Sequence, residues 1–345
     1  MKGEPEVRKG TSGFCMTIIV CDNIKRDQRQ ANSSAYDHHF SRLLLRSTFS
    51  LVSIKNQKLK KGSSFMELYD VSHWKKDEER QASGTREKFW LINPDNKRRY
   101  LFKIPKENTG EAWAEVVASK IGQHIGLDMM KADLAVYDGT IGILSENFVL
   151  YNEEFYEGGD LFFTIEESFD RRNLKHYHFL NVIKVLSGFH LEKEFVQIPV
   201  FDALIANQDR HCDNWGIIVH HTSCKLAPIY DNGASLGYQL KEERILKMFQ
   251  DQRMFEAFTN RSFSLIGLPH KKKPKYKELL SFIYELYPKE MKKEIDRISQ
   301  INEQQVTTVL DGVSENVMSK IYKEWVLKLL QYRKEWLVNW YMEVK

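Results

Sequence analysis

Asp209 and Asn214 stand five residues apart in Asn207-Gln208-Asp209-Arg210-His211-Cys212-Asp213-Asn214, and Asp231 follows seventeen residues after Asn214. Trp215–His220 and Lys225–Tyr230 are two apolar runs joined by the polar stretch His221-Thr222-Ser223-Cys224, which predicts a β-hairpin. A turn centred on Thr222-Ser223 sets Asn214 opposite Asp231 at the open end, with about 4.5–5.5 Å between Cβ atoms. An amide oxygen and a carboxylate that close are hard ligands suited to a magnesium ion carrying phosphates. Asp209, in the turn before the first strand, is then placed to receive a hydroxyl proton. The chemistry this pattern suits is phosphoryl transfer. The plainer alternative is a polar loop that caps a helix over Val200–Ala206, since Asp and Asn favour such turns anyway. That alternative sets no register between Asn214 and Asp231.

Asp-Arg-His-x-x-Asn, followed by Pro228-Ile229-Tyr230-Asp231-Asn232-Gly233, resembles the catalytic and metal loops of HipA-like kinases, with phosphatidylinositol kinases as more distant relatives. Protein kinases supply the same parts in a related order. The resemblance runs from about Ser83 to Ser235 and into the C-terminal helices. It implies that Asp209 is the catalytic base, that Asn214 and Asp231 hold Mg²⁺, and that His211 braces the loop.

Such an enzyme needs a cation for the phosphates of ATP and an element to hold that cation. Arg99–Ile104 alternates like a strand and ends on Lys103. After the Pro105–Gly110 break, Trp113, Val117 and Ile121 recur every four residues, as do Ala114 and Ala118, which predicts a helix ending near Gly126. By resemblance, Lys103 contacts the α- and β-phosphates and Glu115, twelve residues on, pairs with it. An exposed strand lysine and a solvated helix glutamate would read the same way in isolation. Upstream, Ser83-Gly84-Thr85 precedes Lys88 and the apolar run Phe89–Ile92, and is similar to the family's phosphate loop, whose backbone N–H groups would meet phosphate oxygens. It departs from the family where Arg86 replaces the usual Gln and where Gln81 stands in place of a serine that many members phosphorylate. Ser83 and Thr85 remain as modification sites. Ile141–Leu144 reads as the last small-lobe strand, so Glu146-Asn147-Phe148 is the hinge on which adenine would dock.

These elements set the expected architecture. It is an α+β, two-lobed, protein-kinase-like fold, with a small, mainly antiparallel β lobe over residues 66–149 and a larger helical lobe over 150–345. Tyr276–Leu286, Lys289–Ile301, Gln304–Leu310 and Ser314–Met342 read as helices. In the last of these, Val317, Ile321, Trp325, Leu329, Tyr332 and Trp336 form a stripe expected to pack beneath the catalytic loop. Residues 1–65 lack sustained periodicity and read as a flexible extension. Phe14–Cys21, eight apolar residues, is too short and poorly flanked for a signal peptide. The stretch before Ser83 is too short for the N-terminal subdomain of full-length HipA proteins, so a kinase-only version is expected.

Composition sets limits. At 345 residues the chain can hold two lobes, and its 42% apolar content is ordinary for a globular protein. No run approaches the ~20 residues of a membrane span. The four cysteines show no metal spacing and read as reduced cytoplasmic thiols. A net charge of +4 gives no reason to expect direct nucleic-acid binding. The basic run Lys271–Lys275 reads as a solvated loop. The expected activity is therefore ATP- and Mg²⁺-dependent phosphorylation of a protein serine or threonine, with autophosphorylation and an antitoxin-type partner among the properties the resemblance implies. A lipid or small-molecule kinase, or a degenerate nucleotide-binding protein, are the alternatives.

Overall fold

Lys88–Ile92 and Arg99–Lys103 form the hairpin from which the small lobe is built. Their register runs from Lys88 opposite Lys103 to Ile92 opposite Arg99. The Asn93 side chain closes the turn by accepting from the Asp95 N–H at 2.8 Å, as asparagine does in tight turns. The computed structural model describes residues 68–80, 87–221 and 223–345, which lie in one compact unit, Phe65–Lys345. The readings made for residues 1–65, and for Ser83, Gly84 and Thr85, fall outside the described residues.

In chain order the small lobe has β1 (Tyr69–Asp70), β2 (Lys75–Lys76), β3 (Lys88–Ile92), β4 (Arg99–Lys103), α1 (Glu111–His124), β5 (Ala132–Tyr137) and β6 (Thr140–Glu146). The strands make one six-stranded sheet in the order β1-β5-β6-β4-β3-β2, antiparallel except for the β1–β5 pair. Val71, Leu91, Phe102, Ala135 and Leu144 form its core, and Phe102 stacks on Phe89 with ring centroids 5.3 Å apart. Gly142 of β6 leaves room for that stack, because a Cβ there would collide with the Phe102 ring.

Helix α1 is buried along most of its length, including both expected stripes through Trp113 and Ala114. Its C-terminus is a Schellman motif. Gly126, at φ +74°, donates to the Gln123 carbonyl, and Leu127 donates to Gly122. The sheet and this helix together fix where Lys103 can point.

The larger lobe continues with β7 (Glu154–Glu157), α2 (Gly158–Phe162), α3 (Phe179–Ser187), a 3₁₀ turn at Glu194–Val196, α4 (Gln197–Ile205), β8 (Gly216–His220) and β9 (Ser223–Leu226). Then come α5 (Glu242–Gln250), α6 (Gln252–Thr259), α7 (Tyr276–Leu286), α8 (Pro288–Ser299), α9 (Glu303–Gly312) and α10 (Lys320–Val344). This is the two-lobed protein-kinase-like arrangement expected. Helix α10 starts six residues later than expected, with Ser319 as its N-cap. Trp325 and Leu329 of its stripe are buried, and it packs on α4, the helix that leads into the catalytic loop.

The hairpin differs from expectation. Its register pairs Ile217 with Leu226 and His220 with Ser223, so the connection is His221-Thr222 and the frame is displaced by two residues. His221 has φ +48°, the left-handed backbone that two-residue hairpin turns require. β9 stops at Leu226 rather than running to Tyr230. The Ala227 N–H still donates to the Gly216 carbonyl in this frame, and beyond it Ile229 leaves the hairpin to bridge Met129. Ladder pairing therefore does not bring Asn214 and Asp231 together.

Candidate active site

What joins those two positions is Arg210. Its side chain is 1% exposed and ties together three segments of the chain, through two backbone carbonyls and two side chains. Nε and Nη2 donate to the Asp202 carboxylate on α4 at 2.8–3.3 Å. Nη1 donates to the carbonyls of both Asn214 and Tyr230 at 2.6 Å, and Nη2 to Asn232 Oδ1 at 2.7 Å. The planar guanidinium thus ties the start of β8 to the segment that ends in Asp231. Burial alone would lower the Arg210 pKa, but Asp202 outweighs it and holds the pKa above its ordinary value.

Around this clamp every loop group is held. Asn207 donates to Asp202 at 3.0 Å and accepts from the Asp209 N–H at 3.0 Å, and Tyr276 of α7 donates to the Asn207 carbonyl. The Tyr177 hydroxyl donates to the Arg210 carbonyl at 3.1 Å and accepts from Trp215 Nε1 at 2.9 Å. His211, expected to brace the loop, makes local contacts only: its Nδ1 accepts from the Asp213 N–H at 3.2 Å. Arg210 and Asp202 are the braces, and the sequence reading gave them no role. The one hint available was Asp202, a carboxylate within a helix of mostly apolar residues.

With its backbone fixed, Asp209 leaves its carboxylate exposed. Crowding by the surrounding chain raises its pKa, His211 pulls it back, and Asp231 adds to the rise. A carboxylate so placed is a better proton acceptor than a free one. Asn214 donates its Nδ2 to the Asp209 carbonyl at 2.7 Å, which leaves Oδ1 as its remaining polar atom. Asp231 sits at φ +54°, a left-handed conformation that aspartate tolerates better than most residues. One of its oxygens accepts from Lys103 Nζ at 2.9 Å, and the side chain is 42% exposed. Although crowding would raise its pKa, Lys103 outweighs that and holds Asp231 below the ordinary carboxylate range, with Lys88 and Arg210 assisting. A hard amide oxygen and a carboxylate held in its charged form by Lys103 fit a magnesium ion.

From the small lobe, Lys103 enters at the end of β4 and Lys88 stands opposite it at the start of β3. Burial would depress the Lys103 ammonium, but Asp231, then Glu115 and Glu111, more than offset it and raise its pKa above that of an ordinary lysine. Lys88 is shifted down, chiefly by burial, with Asp231 opposing. Two ammonium groups beside one carboxylate suit a polyphosphate.

Glu115 does not make the ion pair expected of it. Lys103 Nζ pairs instead with Glu111 Oε1 at 2.9 Å, one helical turn earlier on the same face of α1. Glu115 is buried with neither oxygen in a well-formed hydrogen bond; the charges of Lys103 and Arg210, and then the nearby Asn232 backbone N–H, favour its charged form. Burial, then Asp231, pushes its carboxyl up to about 7.

The expected hinge begins on Glu146, the last residue of β6. Glu146 is engaged by Arg98 and by Lys131 at 3.2 Å. Phe148 packs between Phe155 and Tyr230, with centroids at 5.4 and 5.7 Å, an aromatic cluster suited to one face of a purine. A further charged group lies beside the loop: Arg171 pairs with Glu157 at 3.1 Å, Asp213 at 2.9 Å and Asp160. Neither Cys212 nor Cys224 forms a disulfide.

Comparison with known proteins agrees with this geometry. The HipA-like C-terminal domain family matches residues 80–306. The serine/threonine-protein kinase CtkA of Helicobacter pylori (strain J99 / ATCC 700824) is 25% identical over 274 residues, covering 71% of this chain and 78% of CtkA. The crystal structure of the H. pylori proinflammatory kinase CtkA superposes with a TM-score of 0.71 at 22% identity, over 81% of this chain and 98% of CtkA. HipA from the Shewanella oneidensis MR-1 complex of HipA, HipB and operator DNA gives 0.53 at 13% identity, over 77% of this chain and 67% of HipA. The chain belongs to the HipA-like C-terminal domain family.

Proposed function

We propose that this chain is an ATP- and magnesium-dependent kinase that transfers the γ-phosphate to a serine or threonine hydroxyl of a protein. The observation that carries this reading is the Arg210 clamp, which holds the loop bearing Asp209 and Asn214 against the segment bearing Asp231, where Lys103 arrives from the other lobe. Asp209 orients the acceptor hydroxyl and takes its proton. Asn214 and Asp231 would hold magnesium, which when bound neutralises charge on the triphosphate. Lys103 and Lys88 bind phosphate oxygens, with the Ser83-Gly84-Thr85 segment as a further phosphate contact. Phe148, with Tyr230 and Phe155, shelters the adenine, and Glu146 opens the hinge.

A protein acceptor is favoured by the relationship to CtkA, named a serine/threonine-protein kinase. Among the described residues, no helix is long and apolar enough to cross a membrane. The basic run offers little to an anionic lipid surface, because Lys271 is paired with Glu278 at 2.7 Å and Lys273 lies over the Phe263 ring at 5.2 Å. An antitoxin-type partner and a cytoplasmic location remain part of this reading, by analogy with the HipA–HipB–DNA complex.

The test is label transfer from γ-labelled ATP with Mg²⁺, with and without cell extract, followed by phosphopeptide mapping. Wild type should label serine or threonine, on itself or on an extract protein. Asp209→Asn should abolish transfer while leaving ATP affinity and melting temperature nearly unchanged, because that side chain supports neither the core nor the triphosphate. Transfer by Asp209→Asn within about tenfold of wild type removes Asp209 from its role. Label confined to an organic lipid fraction overturns the protein acceptor.

A further inference from the structure

The carbonyls of Cys212, Asp213, Asn214 and Trp215 all accept hydrogen bonds. Cys212 accepts from the Gly159 N–H at 2.9 Å and Trp215 from the Gly158 N–H at 2.8 Å, both from the first turn of α2. Asp213 accepts from the Tyr230 hydroxyl at 2.8 Å, and Asn214 from Arg210. The short helix α2 therefore fixes the stretch that carries one of the two proposed magnesium ligands. The approach is tight, since a Cβ on Gly159 would come 2.3 Å from Asp213 Oδ1. It also brings like charges together, Glu157 and Asp160 at the start of α2 and Asp213 on the loop. Their mutual repulsion is felt at Glu157, which burial first, and then Asp213 and Asp160, push up to about 7.

Arg171 is the cation that joins them. Its Nη1 donates to Asp213 Oδ1 at 2.9 Å and to Glu157 Oε2 at 3.1 Å, and its Nη2 to Asp160. It comes from the loop between α2 and α3, and its neighbours fix its place. Phe169 is buried against Phe162, with ring centroids 4.5 Å apart. The Asp170 carboxylate accepts from the N–H groups of Arg172 at 2.8 Å and Asn173 at 3.2 Å.

We propose that Arg171 is a positioning residue for Asn214: it holds Asp213 to the first turn of α2, and so keeps closed the two hydrogen bonds that flank Asn214. This rests on the kinase reading. Without the guanidinium, Glu157 and Asp160 repel Asp213 across the Gly158 and Gly159 bonds, and Asn214, next in the chain, shifts with it. The consequence is selective. Loss of Arg171 weakens the hold on magnesium, and does so through Asp213. ATP binding without metal is spared, because Lys103 is held by Asp231 and Glu111 instead.

The experiment is calorimetric titration of the full chain with ATP, without metal and at graded magnesium concentrations. Wild type, Arg171→Gln, Arg171→Lys, Asp213→Asn and the Asp213→Asn/Arg171→Gln double variant are compared. Arg171→Gln should raise the magnesium concentration that gives half-maximal ATP affinity by about fivefold. That is less than a fully buried charge-assisted hydrogen bond would give, because the guanidinium is 29% exposed. Metal-free ATP affinity, which general damage to the fold would lower, should stay within about twofold of wild type. Arg171→Lys keeps the charge but not the planar fork and should recover part of the shift. In the Asp213→Asn background, where the loop has no charge to hold, adding Arg171→Gln should change the magnesium requirement no further. Should Arg171→Gln not fold, Arg171→Lys against wild type reads a smaller shift in the same direction. An unchanged magnesium requirement in Arg171→Gln, an equal loss of metal-free affinity, or an undiminished Arg171 effect in the Asp213→Asn background overturns the inference alone. A wild-type chain that binds no ATP at any magnesium concentration overturns the kinase reading and the inference with it.

Discussion

Replacing Arg210 by methionine should uncouple the active site and destabilise the large lobe together. Arg210 is 1% exposed and its Asp202 partner is fully buried, so the substitution leaves an uncompensated carboxylate in the interior. Removing one partner of such a pair costs roughly 3–5 kcal/mol. At about 2–4 °C per kcal/mol for a unit of this size, the melting temperature should fall by roughly 10 °C. Tyr230 and Asn214 would each lose a 2.6 Å donor, so Asp231 and Asn214 lose their shared reference point. The Asp202→Asn/Arg210→Met double variant separates the two effects. It removes the buried charge, so melting temperature should recover in part, but magnesium-dependent ATP binding should not, because the two carbonyls remain unclamped. Arg210→Lys should also fail, since a compact ammonium cannot reach Asp202 and both carbonyls in one geometry. Differential scanning fluorimetry and ATP titration on the same preparations read both quantities. A single variant melting within about 2 °C of wild type, or a double variant with wild-type ATP binding, would refute the clamp.

Asp231→Ala should weaken ATP binding in magnesium and leave magnesium-free binding little changed; equal affinities with and without magnesium in both proteins would sink the metal assignment. Glu115 gives a pH prediction. Its folded-state pKa of about 7 lies above the ordinary 4.5, so it favours the folded chain fully below about 4.5 and loses that contribution as pH rises toward 7. A shift of that size corresponds to roughly 3 kcal/mol, and Glu115→Gln should therefore gain on wild type in melting temperature between pH 5 and pH 8. Parallel curves across that range would remove Glu115 from the account.

Local chemistry was the legible part of this chain. Lys88–Ile92, Arg99–Lys103 and α1 follow from alternation, four-residue recurrence and a glycine stop, and the structure has all three within a residue or two of the expected bounds. The hairpin was legible as an element but not in register. His221-Thr222-Ser223-Cys224 offers several turn positions, and the choice among them goes with the left-handed backbone at His221 and with Ile229 pairing to Met129 instead of continuing β9. Residue pairing read outward from a turn carries any error in the turn to the end of the strands, which is where Asn214 and Asp231 lie.

The clamp and the Lys103 partner were hidden for a different reason. An α-helix puts residues four apart on one face, so Glu111 and Glu115 are equally able to meet a strand on that side. What separates them is the approach of Gly233 and the backbone of Lys106, contacts set by segments distant in sequence or by the exit of β4. Arg210 is a similar case. Inside Asp-Arg-His its own neighbours are polar, and nothing local says that it turns inward to Asp202 seven residues before Asp209 and to carbonyls on two other segments. The residues proposed to meet ligand were singled out by their chemistry, because chemistry dictates their type. The residues that aim them answer to tertiary geometry, and any buried donor with enough reach could have filled the role. A planar, five-donor cation is the side chain that joins three segments of the chain from one position, which is why the loop is held by an arginine and why its loss cannot be made good by another positive charge.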